Sequence, residues 1–320
     1  MPKIAVVRRL PQPLLDQLGK LGSLVLPAGD ACRDKTELQD LLHDADAALV
    51  TALDEIDGET LNACTRLKLL CNIGVGYNNI DVPAATAKGI VVTNTPGAMD
   101  DAVADLVFGQ ILAVARRLPQ ADAFVRSGQW TVDNHSGFGL GMDVSKKTLG
   151  IVGFGRIGQT VARRALGFEM QTLYCNPSMV AAETASALQA TRVELDVLLA
   201  RADFVVLQVP YRPDTHHLIS TEQLAKMKPG AALIHSGRGG VVDDAALAHA
   251  LRTGIIAAAA VDCVEDEPAV HPELLACPNV LFTPHIGSAT PTTRMNMAMM
   301  AMKNLITGLQ GMTPPNAVNL

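Results

Sequence analysis

Residues 148–166 read TLGIVGFGRIGQTVARRAL, and the way this stretch folds decides the architecture of the chain. Its front, residues 148–152, is a short apolar run that predicts a buried strand. Its back, residues 156–166, predicts a helix with an apolar stripe at Ile157, Val161 and Ala165. Between them stand Gly153, Gly155 and Gly158, spaced G-x-G-x-x-G. Gly153 permits a tight turn out of the strand, Gly155 leaves room for a pyrophosphate against the backbone, and Gly158 lets the helix pack close to the strand. The N-terminus of such a helix offers free N–H groups and a positive dipole end to phosphates. Three glycines alone carry little. Between a strand and a helix they predict a dinucleotide-binding βα unit.

With 320 residues the chain has room for one large or two medium domains. Hydrophobic residues make up 48%, enough for a sizeable core and too many for disorder. A net charge of -6 without a basic block disfavours nucleic acid and anionic membrane as partners. The six cysteines, Cys32, Cys64, Cys71, Cys175, Cys263 and Cys277, show no C-x-x-C or zinc-like spacing. Cys71, Cys175 and Cys263 lie in or beside apolar runs and are expected to be buried. The N-terminus lacks the apolar core of a signal peptide, so a reducing, cytoplasmic setting is expected. No stretch approaches ~18 apolar residues, which predicts no membrane span.

Outward from the glycine loop, strands alternate with helices. Strands are expected at 3–7, 24–26, 47–50, 67–71 and 90–93, with helices at 12–21, 36–42 (capped by Asp34 or Thr36), 57–64 and 82–88. A long helix at 101–117 leads to a looser, glycine-rich arm at 127–146 that carries Trp130, the single tryptophan. Beyond the loop, strands are expected at 172–175, 204–209, 232–235, 258–262 and 280–283, with helices at 224–227, 244–252, 272–275 and 292–309. The alternation predicts an α/β protein of two doubly wound parallel-sheet domains with a cleft between them. The last helix is expected to return to the first unit. That gives a discontinuous substrate domain, 1–98 plus 286–320, and a dinucleotide-binding domain, 99–285. Ligands favour such junctions and the carboxyl ends of strands.

Three polar residues follow late strands: Arg238 in SGRGG, Glu267 in DCVEDEP and His285 in TPHIGSAT. Histidine exchanges a proton near neutral pH, a neighbouring carboxylate favours its charged form, and arginine presents a fork to a carboxylate. A hydride to one carbon and a proton to its oxygen is what a 2-oxo acid needs. Each residue also has a structural reading: Arg238 between glycines would bind a carbonyl, and the run Glu265-Asp266-Glu267 would be solvated. Their shared position downstream of a dinucleotide loop favours chemistry. The remaining histidines, His43, His135, His216, His217, His235, His249 and His271, lack an evident partner and read as structural or surface residues. Residues 72–77, NIGVGY, would let backbone N–H groups converge on an anion or form a plain loop.

Six motifs carry a resemblance that covers nearly the whole chain: NIGVGYNNID at 72–81, VTNTPG at 92–97, TLGIVGFGRIG at 148–158, MKPGAALIHSGRGGVVD at 227–243, DCVEDEP at 262–268 and TPHIGSAT at 283–290. In these the chain resembles the D-isomer-specific 2-hydroxyacid dehydrogenases. The resemblance implies two Rossmann/flavodoxin-like domains and a catalytic set of Arg238, Glu267 and His285. In it His285 gives the proton, Glu267 holds His285 protonated and oriented, and Arg238 grips the substrate. Val75 and Gly76 would bind the substrate carboxylate through backbone N–H groups. Cofactor contacts would come from Gly153, Phe154, Gly155, Arg156, Ile157, Gly158, Asn176, Pro177, Ser178, Val209, Pro210, Asp262, His285 and Gly287, with Asp262 near the nicotinamide. No metal is implied. A homodimer through the cofactor domains, with the arm around Trp130 crossing over, is implied as well.

The departures from the family pattern are informative. Asn78 stands where an Asp is usual, Val264 where a Phe is usual, and Glu169 where a Gly is usual, which is expected to alter the turn into the next strand. At Asn176, ~20 residues past the glycine loop, the acid that bonds the ribose of NAD is missing. No arginine follows it directly to hold a 2′-phosphate. NADP(H) is expected to be preferred, with NAD(H) usable. Within the family, glyoxylate and hydroxypyruvate reduction is expected, because the chain lacks an extra regulatory domain and a basic cluster for a phosphorylated substrate. Loops near Leu53 and Tyr77 would set the pocket. Reduction of 2-ketogluconate or of another D-2-hydroxyacid partner is the alternative, and an NAD(P)-sensing corepressor-like binding protein is the alternative of another class.

Overall fold

Runs of small and branched apolar residues become the strands, and in the computed structural model they form two parallel sheets. The structure describes residues 1–320 and divides into two compact units, Met1–Met99 with Thr290–Leu320, and Asp100–Ala289. No helix is long and apolar enough to cross a membrane.

The first unit alternates β1 (Lys3–Val6), α1 (Gln12–Gly19), β2 (Ser23–Val25), α2 (Lys35–Leu42), β3 (Ala47–Thr51), α3 (Gly58–Ala63), β4 (Leu69–Ile73), α4 (Val82–Ala87) and β5 (Val91–Thr93). The strands pair in the order β2-β1-β3-β4-β5, all parallel. This is the doubly wound order whose direction reverses beside β1. Strands β3 and β4 are apolar on both faces because helices cover both. Aspartates start the helices. The side chains of Asp34, Asp57 and Asp81 accept from the N–H groups of Glu37, Thr60 and Ala84, so Asp34 rather than Thr36 is the cap of α2. The last helix of the chain, Pro291–Leu309, packs against β4, and Gly308 leaves room there for Leu69.

The second unit starts with α5 (Asp100–Arg116) and α6 (Leu118–Arg126), followed by exposed chain without regular structure. Its sheet then runs through β6 (Thr148–Val152), α7 (Arg156–Leu166), β7 (Gln171–Cys175), α8 (Ala182–Ala187), β8 (Ala190–Arg192), α9 (Leu195–Arg201) and β9 (Phe204–Leu207). It continues through α10 (Thr221–Ala225), β10 (Ala232–His235), α11 (Asp244–Arg252), β11 (Ala258–Val261), α12 (Pro272–Leu275) and β12 (Val280–Phe282). The spatial order is β12-β11-β10-β9-β6-β7-β8, again all parallel. Strand direction of travel reverses between β6 and β9, which makes their carboxyl ends the crevice of this sheet.

Several expectations need correction. Helix α6 and the segment α8–β8–α9 were not legible, because α6 and α8 bury no residue and β8 is a three-residue edge strand. The helix expected at 224–227 is α10, three residues earlier, since Ser220 and Gln223 form a capping box that sets its start. β4 begins two residues later than expected and runs on to Ile73. Cys175 is only partly buried, whereas Cys71 and Cys263 are fully buried. At the turn between α7 and β7, Glu169 takes the left-handed conformation, φ 54°, so the departure is absorbed as backbone strain. Its only ion pair, with Lys146 at 3.7 Å, is exposed and contributes little. Glu169→Gly is therefore expected to stabilise the protein by about 1 kcal/mol. A thermal melt should show a rise in Tm of roughly 2–4 °C, and an unchanged or lower Tm would mean that the glutamate side chain outweighs the strain.

Candidate active site

The glycine loop has the three separate constraints that its spacing predicts. Gly153 has φ 94°, and a Cβ there would collide with the Gln208 carbonyl at the end of β9. A Cβ on Gly158 would collide with the carbonyl of Gly153. A Cβ on Gly155 would meet nothing within 4 Å. The first two glycines thus close the packing of β6, α7 and β9, while the third faces open space at the helix N-terminus. No side chain caps α7. Arg156 is exposed and Ile157 half-buried in its first turn, and Val209 and Pro210 follow β9 across the crevice. The residues present therefore fit a dinucleotide pyrophosphate. Phe154 is buried, its ring stacked on Tyr174 at 4.1 Å, and so supports the loop from below.

At the end of β7, Asn176 is tied to that loop. Its Oδ1 accepts from the Phe154 N–H at 3.2 Å, and its Nδ2 donates to the Ser178 Oγ and carbonyl at 3.0 Å. Pro177 and Ser178 are exposed beside it. Arg192, on the neighbouring strand β8, donates to the Asn176 carbonyl at 3.1 Å. This guanidinium lies 16 positions away in sequence, so spacing alone could not place it. It depends on β8, a strand too short to read.

Strands β10, β11 and β12 bring the polar set together. His285 follows β12 with φ 51°, and its Nδ1 lies 2.8 Å from the Glu267 Oε2. Both side chains keep partial access to solvent, 33% for His285 and 29% for Glu267. Burial pushes the Glu267 carboxyl up, but the His285 hydrogen bond and charge, the Val264 N–H and the charge of Arg238 together hold it below the ordinary carboxylate value. Arg238 donates to the Gly237 carbonyl at 2.8 Å, the structural role foreseen for it, and still acts on Glu267 through its charge.

Asp262 holds the turn that carries the histidine. It is 4% exposed, its Oδ1 accepts from the Thr283 hydroxyl at 2.6 Å and the Ile286 N–H at 2.9 Å, and its Oδ2 accepts from the Gly287 N–H at 3.1 Å. Its backbone carbonyl accepts from the His285 N–H at 3.0 Å. Gln110 of α5 extends this network, donating to Thr283 Oγ1 at 3.0 Å and accepting from Ser236 Oγ at 2.7 Å. Neither Gln110 nor Ser236 carries a motif, and only the packing of α5 on the strand ends reveals them.

In the first unit, residues 72–77 form the loop after β4. The Gly74 carbonyl accepts from the Thr95 N–H at 3.0 Å and the Val75 carbonyl from Asn94 Nδ2 at 2.8 Å, which fixes the peptide planes that carry the Val75 and Gly76 N–H groups. Of the histidines read as bystanders, His217 has a partner after all: its Nε2 lies 2.8 Å from Glu265 Oε1. The acidic run is thus paired at both ends and only Asp266 is free in solvent. His235 is buried and neither ring nitrogen is hydrogen-bonded.

Residues 108–287 match the family model described as D-isomer specific 2-hydroxyacid dehydrogenase, NAD binding domain. The chain is 43% identical to a glyoxylate reductase of Thermococcus litoralis, over 99% of this chain and 97% of that one. A crystal structure of a glyoxylate reductase from Paecilomyes thermophila superposes with a TM-score of 0.90 at 30% identity, over 99% of this chain and 98% of that one. An NADPH-dependent glyoxylate/hydroxypyruvate reductase from Sinorhizobium meliloti, in complex with NADP and malonate, superposes with a TM-score of 0.88 at 31% identity, over 99% and 96%.

The depressed value of Glu267 has a consequence for stability. A carboxyl held below its unfolded value contributes stability that is present above about pH 4.3, the unfolded value, and is lost as pH falls through the folded one. Urea denaturation between about pH 3 and pH 7 should show this contribution in the native protein and its loss in Glu267→Gln. Equal pH slopes for the two proteins would contradict the pairing.

Proposed function

The chain belongs to the D-isomer specific 2-hydroxyacid dehydrogenase family, and from that premise we propose that it reduces glyoxylate and hydroxypyruvate with a nicotinamide dinucleotide. The observation that carries the reading is the His285–Glu267 pair at 2.8 Å, set on strands that follow the dinucleotide loop. The second unit would hold the cofactor and the first unit the substrate carboxylate.

When bound, the nicotinamide supplies a hydride to the carbonyl carbon. His285 supplies the matching proton to the carbonyl oxygen. Its Nδ1–H is engaged by Glu267, so the transferable proton is the one on Nε2. After transfer the imidazole is neutral and keeps Nδ1–H. Glu267, ionised because its partners favour the charged form, fixes the ring and stabilises the imidazolium that must form again. Arg238 takes the substrate carboxylate or carbonyl oxygen through its free N–H groups. The N–H groups of Val75 and Gly76, in peptide planes fixed by the Thr95 N–H and by Asn94, are the carboxylate donors of the first unit in this reading. Asp262 accepts from the turn around His285 and so keeps the acid in place.

NADP(H) is the preferred cofactor in this reading. Asn176 leaves no negative charge to repel a 2′-phosphate, Ser178 offers a hydroxyl, and Arg192 brings the positive charge that does not follow Asn176 in sequence. The homodimer rests on exposed apolar side chains in the chain after α6: Trp130 is 57% exposed, Val132 95% and Leu140 93%. Six free cysteines accord with a cytoplasmic setting.

Initial rates with glyoxylate and hydroxypyruvate, at matched NADPH and NADH, are expected to show turnover and a preference for NADPH. His285→Ala should lower the rate by roughly 10²–10⁴-fold while nicotinamide fluorescence still reports cofactor binding. Loss of binding together with rate would point to a structural histidine. Arg192→Ala should weaken NADPH by about tenfold, ~1.4 kcal/mol, and leave NADH nearly unchanged. Gly155→Val should fold normally, because its side chain would meet open space, and lose both cofactors. Sedimentation should give a dimer, and Leu140→Glu a monomer.

A further inference from the structure

The thiol of Cys263 lies beside the proton-donating pair. Its Sγ, a Glu267 carboxylate oxygen and a His285 ring nitrogen all fall within 4.8 Å of one another, and the last two are 2.8 Å apart. Cys263 is 1% exposed and forms the floor of the group, while His285 and Glu267 keep access to solvent at its mouth. Sulfur, imidazole nitrogen and carboxylate oxygen are the donor set of a four-coordinate zinc-class ion, with bonds of about 2.0–2.3 Å. Donors at that radius stand roughly 3.2–3.8 Å apart, so the group needs to open only slightly between Glu267 and His285.

A second observation points to the same spot. His235, at the end of β10, is 1% exposed and neither ring nitrogen has a hydrogen-bond partner. An orphaned buried imidazole costs free energy, but His235 stands next to the group and is not one of the three residues whose ligand atoms converge. Glu267 and His285 are both close enough for their charges to act on it.

We propose that Cys263, Glu267 and His285, with His235 beside them, form an inhibitory site for a thiophilic divalent cation such as Zn²⁺. Binding forms bonds from the metal to the Cys263 sulfur, the His285 Nδ1 and the Glu267 oxygen, and it releases the thiol proton and the His285 Nδ1 proton to solvent. His285 is then a neutral, metal-bound imidazole whose remaining Nε2–H is too weak an acid to be given up, and reduction stops. Burial, reinforced by Glu267, pushes the thiol well above its ordinary value, so without a cation it stays protonated and inert to oxidants. The metal supplies the positive charge that ionises it. The inhibition rests on the reading of His285 as the acid, whereas the binding does not.

Another triad, His216, His217 and Glu265, also brings ligand atoms within 4.8 Å. Its two imidazoles are stacked, with centroids 3.9 Å apart and planes at 21°, so their lone pairs run side by side and do not converge. It contains no sulfur, which makes the two sites spectroscopically distinct.

Co²⁺ titration of the full-length protein decides the matter. The expected result is a near-ultraviolet thiolate-to-cobalt charge-transfer band that is abolished in Cys263→Val and in Cys263→Ala and retained in His217→Ala. Zn²⁺ should displace the cobalt and should bind Cys263→Val at least about a hundredfold more weakly. Inhibition by Zn²⁺, taken against each protein's own metal-free rate, should follow the same order. Absence of the band, its survival in both Cys263 variants, or binding without inhibition would overturn the proposal. Should the protein fail to reduce glyoxylate at all, the cobalt band still tests the site by itself, and the fault would lie with the proposed reaction.

Discussion

Asp262 accepts hydrogen bonds from Thr283, Ile286 and Gly287 through its carboxylate and from His285 through its carbonyl. Every one of these donors belongs to the turn after β12. A histidine at φ 51° is disfavoured by sterics, and it persists only where its surroundings over-determine it. The buried aspartate does that, and Gln110 and Ser236 hold Thr283 in turn. With the turn fixed, the imidazole meets Glu267. Without it, β12 would end in a loop with no preferred side-chain direction, and the pairing of His285 with Glu267 would lose its support.

The second unit is built around the same economy of space. Gly153 and Gly158 let β6, β9 and α7 approach until a single methyl group would collide with backbone. Close packing there sets the reversal of strand order and so the crevice. Gly155 shows the opposite condition, open space at a helix N-terminus. One motif therefore combines two packing constraints with one recognition constraint, and the contrast separates them physically.

Much of this was legible in the sequence because it is written in local terms. Buried parallel strands read as apolar runs, and Asp34, Asp57 and Asp81 mark helix starts by short-range hydrogen bonds. The late polar residues were legible because each follows such a run. The segment from Ala182 to Arg201 was not, since α8 and β8 expose most of their residues and lack a period. With it went Arg192. Gln110 and Ser236 were hidden for another reason: their partner strands are distant in sequence, and nothing local distinguishes a buried glutamine from an exposed one. His217 was passed over because its carboxylate partner is 48 positions away.

The strand order β12-β11-β10-β9-β6-β7-β8 separates two kinds of decision across one sheet. Asn176 follows β7 and Arg192 ends β8, whereas Arg238, Glu267 and His285 follow β10, β11 and β12. Strands β9 and β6 stand between, and at ~4.8 Å per strand the nearest of the two groups are roughly 14 Å apart. Sites that far apart with no shared partner have nearly additive energetics. On the proposed roles, with Asn176 and Arg192 reading the dinucleotide and His285 giving the proton, selection on cofactor choice can proceed at one edge of the sheet without epistatic cost to proton transfer at the other.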